Sequence, residues 1–232
     1  MSGLIVGCGG NSRISYSASP LYYRGTVTIA NTGYLSPGTA TAIADVTPGQ
    51  DLSIVAMGPT TSATITNDKS FAVLVSNGVI VKGKMEETDS PGSLSFNFLN
   101  GSSVLVSGTL SNHSFPTLGK TASVPPAGNY NGDLLVVSNG HARSFGTVTS
   151  IMDSAGNWTA FTNEQGGWIG DAVVSGQFMP NATVSGTTLV SNGSVIVEQT
   201  DPAYSFDGKT LIINIGGLFL GPGGCWLTLT KS

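Results

Sequence analysis

Phe71-Ala72-Val73-Leu74-Val75-Ser76-Asn77-Gly78-Val79-Ile80-Val81 decides the fold of this chain. Two runs of Val, Leu, Ile and Phe flank an Asn-Gly pair. A type I′ hairpin turn needs positive φ at both central residues, and Asn and Gly bear that with least strain. The tetrapeptide Val-Ser-Asn-Gly returns at 137–140 and again at 190–193. Asn77, Gly78, Asn139, Gly140, Asn192 and Gly193 are therefore read as structural corners of antiparallel hairpins.

Outward from these corners, apolar residues alternate or run for short stretches until Gly, Pro, Asn or Asp interrupts. The pattern predicts strands at Leu4–Val6, Arg13–Ser17, Tyr23–Ala30, Leu52–Met57, Ser62–Thr66, Phe71–Ser76, Val79–Lys84, Leu94–Leu99 and Val104–Leu110. It continues with Asp133–Ser138, His141–Asp153, Thr159–Asn163, Val173–Phe178, Thr187–Ser191, Ser194–Gln199, Thr210–Ile215 and Trp226–Thr230. No stretch shows helical periodicity. The class expected is all-β.

A break falls at Gly119–Gly128, where Pro125 and Pro126 cannot donate to a ladder. Features recur in order on either side of it. Ala63-Thr64-Ile65 precedes the first Asn-Gly hairpin, and Ala182-Thr183-Val184 precedes the third. An acidic turn follows each, Glu86-Glu87-Thr88-Asp89 and Glu198-Gln199-Thr200-Asp201. Then comes a strand ending in a glycine turn, at Asn100-Gly101 and at Gly216-Gly217. The expectation is two tandem antiparallel β-sandwich-like domains, 1–122 and 123–232, related by duplication. The alternative is one continuous sandwich whose hairpins share good turn chemistry.

Charged residues make up 9% of the chain, against about 25% in ordinary globular proteins. With 40% hydrophobic residues the chain is not of the disordered type. Its polar surface must come from Ser, Thr, Asn and Gly. Such faces pack against copies of themselves without desolvating charge. The net charge of −4 offers no field for nucleic acid or an anionic membrane. No run approaches the roughly 18 apolar residues of a spanning helix. The first ten residues lack the basic n-region of an export signal, so synthesis in a cytoplasm is expected, with Cys8 and Cys225 as free thiols.

Candidate sites are few. His113 and His141 have no nucleophile elbow nearby and read as exposed turn residues. Glu86 and Glu87 would face opposite ways in a strand, and Glu164 has no partner in sequence, so no acid pair for glycoside hydrolysis stands out. The segments starting at Asp153 and Asp201 fit Asx-turns better than calcium loops. Neither a metal site nor a cofactor is expected. The strongest binding hint is aromatic. Trp158 and Trp168 lie among Asn157, Gln165 and glycines, where an exposed indole would stack on a sugar. A core position is the ordinary alternative for so large a side chain.

The opening Gly3-Leu4-Ile5-Val6, then Arg13-Ile14-Ser15-Tyr16-Ser17 and Leu21-Tyr22-Tyr23-Arg24-Gly25-Thr26, resembles the start of small tail-tip and tail-fibre proteins of long-tailed bacteriophages. The likeness covers the first thirty residues and carries no catalytic residue. It implies a non-enzymatic virion component, assembled into the tail with other tail proteins and acting in host attachment. The first half would attach to the particle and the second would meet a partner or receptor. A homo-oligomer, as a trimer, and a host surface glycan or protein are the partners expected. The competing reading is a carbohydrate-binding module built on exposed tryptophans.

Overall fold

The computed structural model describes residues 21–33, 36–45, 53–57, 62–65, 70–74, 79–90, 92–121, 123–138, 141–166, 171–179, 184–191, 194–199, 202–216 and 224–232. All regular structure among them is strand. The first half holds β1 (Leu21–Ile29), β2 (Gly38–Asp45), β3 (Ser53–Met57), β4 (Ser62–Ile65), β5 (Ser70–Leu74), β6 (Ile80–Ser90), β7 (Ser93–Asn100) and β8 (Ser103–Ser114). The second holds β9 (Gly128–Ser138), β10 (His141–Met152), β11 (Asn157–Gly166), β12 (Ala172–Phe178), β13 (Val184–Ser191), β14 (Ser194–Gln199), β15 (Ala203–Phe206), β16 (Thr210–Ile215) and β17 (Gly224–Lys231). The chain is all-β, with one antiparallel, sandwich-like sheet in each half.

Period-two alternation explains the strands. In β7, Leu94, Phe96 and Phe98 are buried while Ser93, Ser95 and Asn97 face outward. Two strands carry a signal that the apolar runs do not reveal. β2 alternates Thr39 and Thr41 with Ala40, Ala42 and Ala44, and its face toward the first core is made of alanine methyl groups alone. β15 lies within the 201–208 segment expected to be a turn. Only its end turns, where the Asp207 carboxylate accepts from the amides of Lys209 and Thr210 at 2.8 and 2.7 Å.

Two expectations need correction. Glu86-Glu87-Thr88-Asp89 is not a turn but the far end of β6, paired with β7 as far as Ser90–Ser93. The reversal comes afterwards, where Gly92 takes φ +79°. His113 is not in a loop, since β8 runs through it and pairs it with Tyr22. The Asn100-Gly101 turn forms with Asn100 paired to Ser103 and Gly101 at φ +61°. The Asn-Gly corners themselves, and Leu4–Val6 and Arg13–Ser17, lie outside the described residues. The flanking ladders nonetheless reverse across them. Ser138 opposes His141 and Ser191 opposes Ser194, leaving two residues at each corner, and Leu74 opposes Ile80 across the first.

Strand order shows how each half closes. The first sheet runs β3-β2-β1-β8-β7-β6-β5-β4, and the second β14-β13-β12-β11-β10-β9-β17-β16-β15. Each is a meander whose first and last strands pair inside the sheet, while its two edges are consecutive in sequence. A flat eight-stranded sheet would hold β3 and β4 about 34 Å apart at ~4.8 Å per strand. Residues 58–61 reach at most about 18 Å. The sheet must therefore curl until its edges meet, and β3 does lie beside β4. The second sheet faces the same constraint between β14 and β15. Each curled sheet encloses its own core, one around Val27, Phe96, Phe98 and Leu110, the other around Tyr130, Leu134, Trp158, Phe178 and Leu229.

The closing ladders repeat one device. Gly25 in β1 opposes Leu110 in β8, and Gly132 in β9 opposes Leu229 in β17. A Cβ at Gly25 would stand 2.4 Å from the carbonyl oxygen of Thr109, and one at Gly132 1.8 Å from that of Thr228. In both sheets a buried tyrosine, Tyr23 or Tyr130, lies two residues before the glycine, and Val27 or Leu134 two after it. Tyr-x-Gly-x-apolar in the first strand thus meets Thr-Leu in the last, twice. The first and third Val-Ser-Asn-Gly segments also hold equivalent places, each joining the fifth and sixth strands of its sheet.

A third apolar cluster fills the seam where the sheets meet, with Tyr22 and Ile43 from one and Leu135, Val137, Ala142 and Phe145 from the other. The run Leu134-Leu135-Val136-Val137 is buried on both faces for this reason. Leu134 and Val136 face the second core, and Leu135 and Val137 face the seam. Burying the five large seam side chains contributes on the order of 10 kcal/mol of gross hydrophobic stabilisation. The Arg24 Nη1–Asp133 Oδ2 ion pair at 3.1 Å crosses the same seam, but its partners are 26% and 44% exposed. Such a pair is worth about 1 kcal/mol or less. Apolar contact, rather than the ion pair, holds the sheets together.

Candidate functional site

Midway along β1, β7 and β8 the residues facing away from the first core are short and uncharged. Thr26 opposes Thr109, which opposes Ser95; Thr28 opposes Ser107, which opposes Asn97. Directly opposed residues share a face, so these six form two polar rungs across three strands. They line an open groove of about 550 Å³, with Phe96 and Gly108 beneath. Phe96 is 3% exposed and packs in the core, so the groove meets its backbone rather than its ring. Ser95 Oγ and Thr109 Oγ1 are hydrogen-bonded across the strands at 2.8 Å, and either hydroxyl can donate. The polar side chains of the lining are five hydroxyls and one amide. Such groups bind and orient a ligand, since each hydroxyl offers one donor and two acceptor positions.

The seam borders this face further along β1. Arg24 reaches over it to Asp133, with its guanidinium carbon 4.3 Å from the centre of the Phe145 ring. The rings of His113 and Phe115 each lie 5.4 Å from that of Tyr22. Burial first, and the Arg24 charge second, lower the His113 pKa below 6.5, while Asp133 pulls the other way. The folded protein therefore takes up this proton less readily than the unfolded chain. The contribution to stability is complete above pH 6.5 and declines as pH falls below it. The melting temperature should drop between about pH 7 and pH 5, more steeply than in His113→Gln. Parallel pH curves for parent and variant would remove His113 from the account.

Of the two tryptophans offered as a stacking platform, Trp158 takes the core alternative. Trp158 is 2% exposed and its ring lies 6.0 Å from that of Phe178, inside the second core. Its β11 neighbours Ala160 and Thr162 face the same way and are buried too. Asn157 is exposed, but its amide is bound to Asp153 Oδ2 at 2.8 Å. The other Asp153 oxygen accepts from the amides of Ala155 and Asn157, so this segment is the Asx-turn anticipated. Gln165 lies in β11, with its side chain outside the described residues, as is Trp168. His141 opens β10. The groove was missed because Thr26, Thr28, Ser107 and Asn97 carry no motif. Only the ladder register brings them together.

Cys225 is fully buried, and burial pushes its thiol up to about 12. A thiol so protonated and enclosed is not a nucleophile at neutral pH. Iodoacetamide should leave Cys225 unmodified in the folded protein and alkylate it fully in denaturant, as read by peptide mass. Native labelling at the rate of a free thiol would contradict its place in the core.

No protein-family model matches this chain, and no curated protein matches it either.

Proposed function

We propose that this protein is a non-enzymatic structural component of a bacteriophage tail, at the tail tip or in a fibre, acting in assembly and host attachment. The observation carrying this reading is the apolar seam, which joins the two curled sheets into one body, with a neutral, hydroxylated outer face on the first sheet. A body of this kind transmits position and load, and its surface packs against other subunits without desolvating charge. The exposed residues of the second sheet add to this. Phe161 is 51% exposed and opposes Val173, 39% exposed, while Ile151, diagonal to Phe161 on β10, is 60% exposed. Contiguous apolar surface of this type marks contact sites, and we assign it to sister subunits of a homo-oligomer, with a trimer as the expected state.

Immunogold labelling of purified particles of the encoding phage tests the location. Gold at the distal tail supports the reading, and label confined to the head or absent from particles overturns it. Light scattering of the purified chain tests the assembly. A trimer that Phe161→Ser converts to monomer supports the assigned contact, whereas a monomeric parent with no affinity for tail proteins counts against it.

A further inference from the structure

The groove across β1, β7 and β8 has a composition that selects its occupant. We propose that it is a binding site for a neutral oligosaccharide, presented by Thr26, Thr28, Ser95, Asn97, Ser107 and Thr109. As the attachment surface of a tail protein the groove rests on the function proposed above, although its chemistry stands without it.

Among the described residues the lining contains no Lys, Arg, Asp or Glu. These residues give an anionic ligand no counter-charge and a cation no carboxylate. An apolar ligand would find little either, since Phe96 turns its ring into the core. What the groove offers is hydroxyls that can each donate or accept, and one amide with both capacities. A sugar presents the same two-way groups, so each partner can meet the other by rotating a hydroxyl. The volume of about 550 Å³ falls within the 300–1,000 Å³ typical of small-molecule sites. The two rungs rest on strands paired at the centre of the sheet, including the closing ladder of β1 and β8. The Ser95–Thr109 hydrogen bond further fixes one rung. These groups are therefore held before a ligand arrives, which lowers the ordering cost of binding. Without an aromatic platform, each site binds weakly, and several sites in an oligomer multiply the strength on a polyvalent surface.

The test uses the full chain and three neutral probes, maltohexaose, mannohexaose and chitohexaose, with hexagalacturonate as the charged control. Amide NMR shifts are followed on titration. The expected result is that at least one neutral probe shifts amides of β1, β7 and β8, with Kd in the range of about 0.1–10 mM. Ser107→Phe, which fills the groove, and Asn97→Ala, which removes its amide, should each weaken binding about tenfold or more. Thr149→Ala, on the outer face of the second sheet, should leave it unchanged. The inference is overturned if no neutral probe shifts those amides at about 20 mM. It is equally overturned if hexagalacturonate binds as well, or if folded Ser107→Phe and Asn97→Ala bind like the parent. Tail labelling without glycan shifts would sink the groove alone. Glycan shifts without particle labelling would sink the tail assignment alone.

Discussion

Gly132→Ala should leave the second sheet unfolded, or nearly so, under conditions where the parent is fully folded. The added Cβ would stand 1.8 Å from the Thr228 carbonyl oxygen, 2.8 Å from its carbon and 3.0 Å from the Leu229 Cα. All three are backbone atoms, so no rotamer change relieves the clash. Relief requires β17 to move away from β9, and that ladder closes the sheet. Overpacking a core commonly costs about 1–3 kcal/mol. A clash with backbone in the closing ladder should exceed about 3 kcal/mol, against a total stability on the order of 5–15 kcal/mol. Gly25→Ala should act similarly in the first sheet, where the nearest atom is the Thr109 oxygen at 2.4 Å. Gly38→Ala is the control, because a Cβ there has nothing within 4 Å. Urea midpoints give the comparison. Equal midpoints for Gly132→Ala and Gly38→Ala would show that closure does not depend on the glycine.

The second large effect concerns Trp158. Truncation to alanine removes an indole packed near Phe178 inside the second core. Such a change costs about 3–5 kcal/mol. Trp158→Phe should be far milder. It keeps an aromatic ring, and it removes the Nε1 donor, which is buried without a hydrogen-bond partner. A buried polar group in that position carries a penalty of about 1–3 kcal/mol, and its loss offsets part of the packing defect. Thermal melts of both variants separate the contributions. A Trp158→Ala protein with parental stability and altered glycan binding would restore the indole as a surface platform.

Most strands could be read from the chain because their determinants are local. Alternation of Leu94, Phe96 and Phe98 with Ser and Asn needs no knowledge of the partner strand, and an Asn-Gly pair specifies reversal by its own φ preferences. β2 escaped because its face toward the first core is alanine, whose weak apolar signal becomes a core only when the opposite wall is present. Glu86–Asp89 was misassigned for the complementary reason. A charged, polar run suggests a turn until β7 is seen to supply its hydrogen bonds. The groove was illegible because its six polar residues come from three strands separated by up to about eighty positions in the chain. Trp158 could have gone either way on sequence, since the face of a strand that meets the core depends on what lies across it.

By itself the amino-acid order determined the class, the corners and the alternation, all of which follow from backbone preferences within a few residues. The tertiary structure alone decided that each half closes on itself, that Gly25 and Gly132 sit where two backbones crowd, and which polar face stays open beside the seam. The reason is physical. Closure, close approach and burial on a second face are properties of pairs of distant strands, and no single segment carries the energy that selects them.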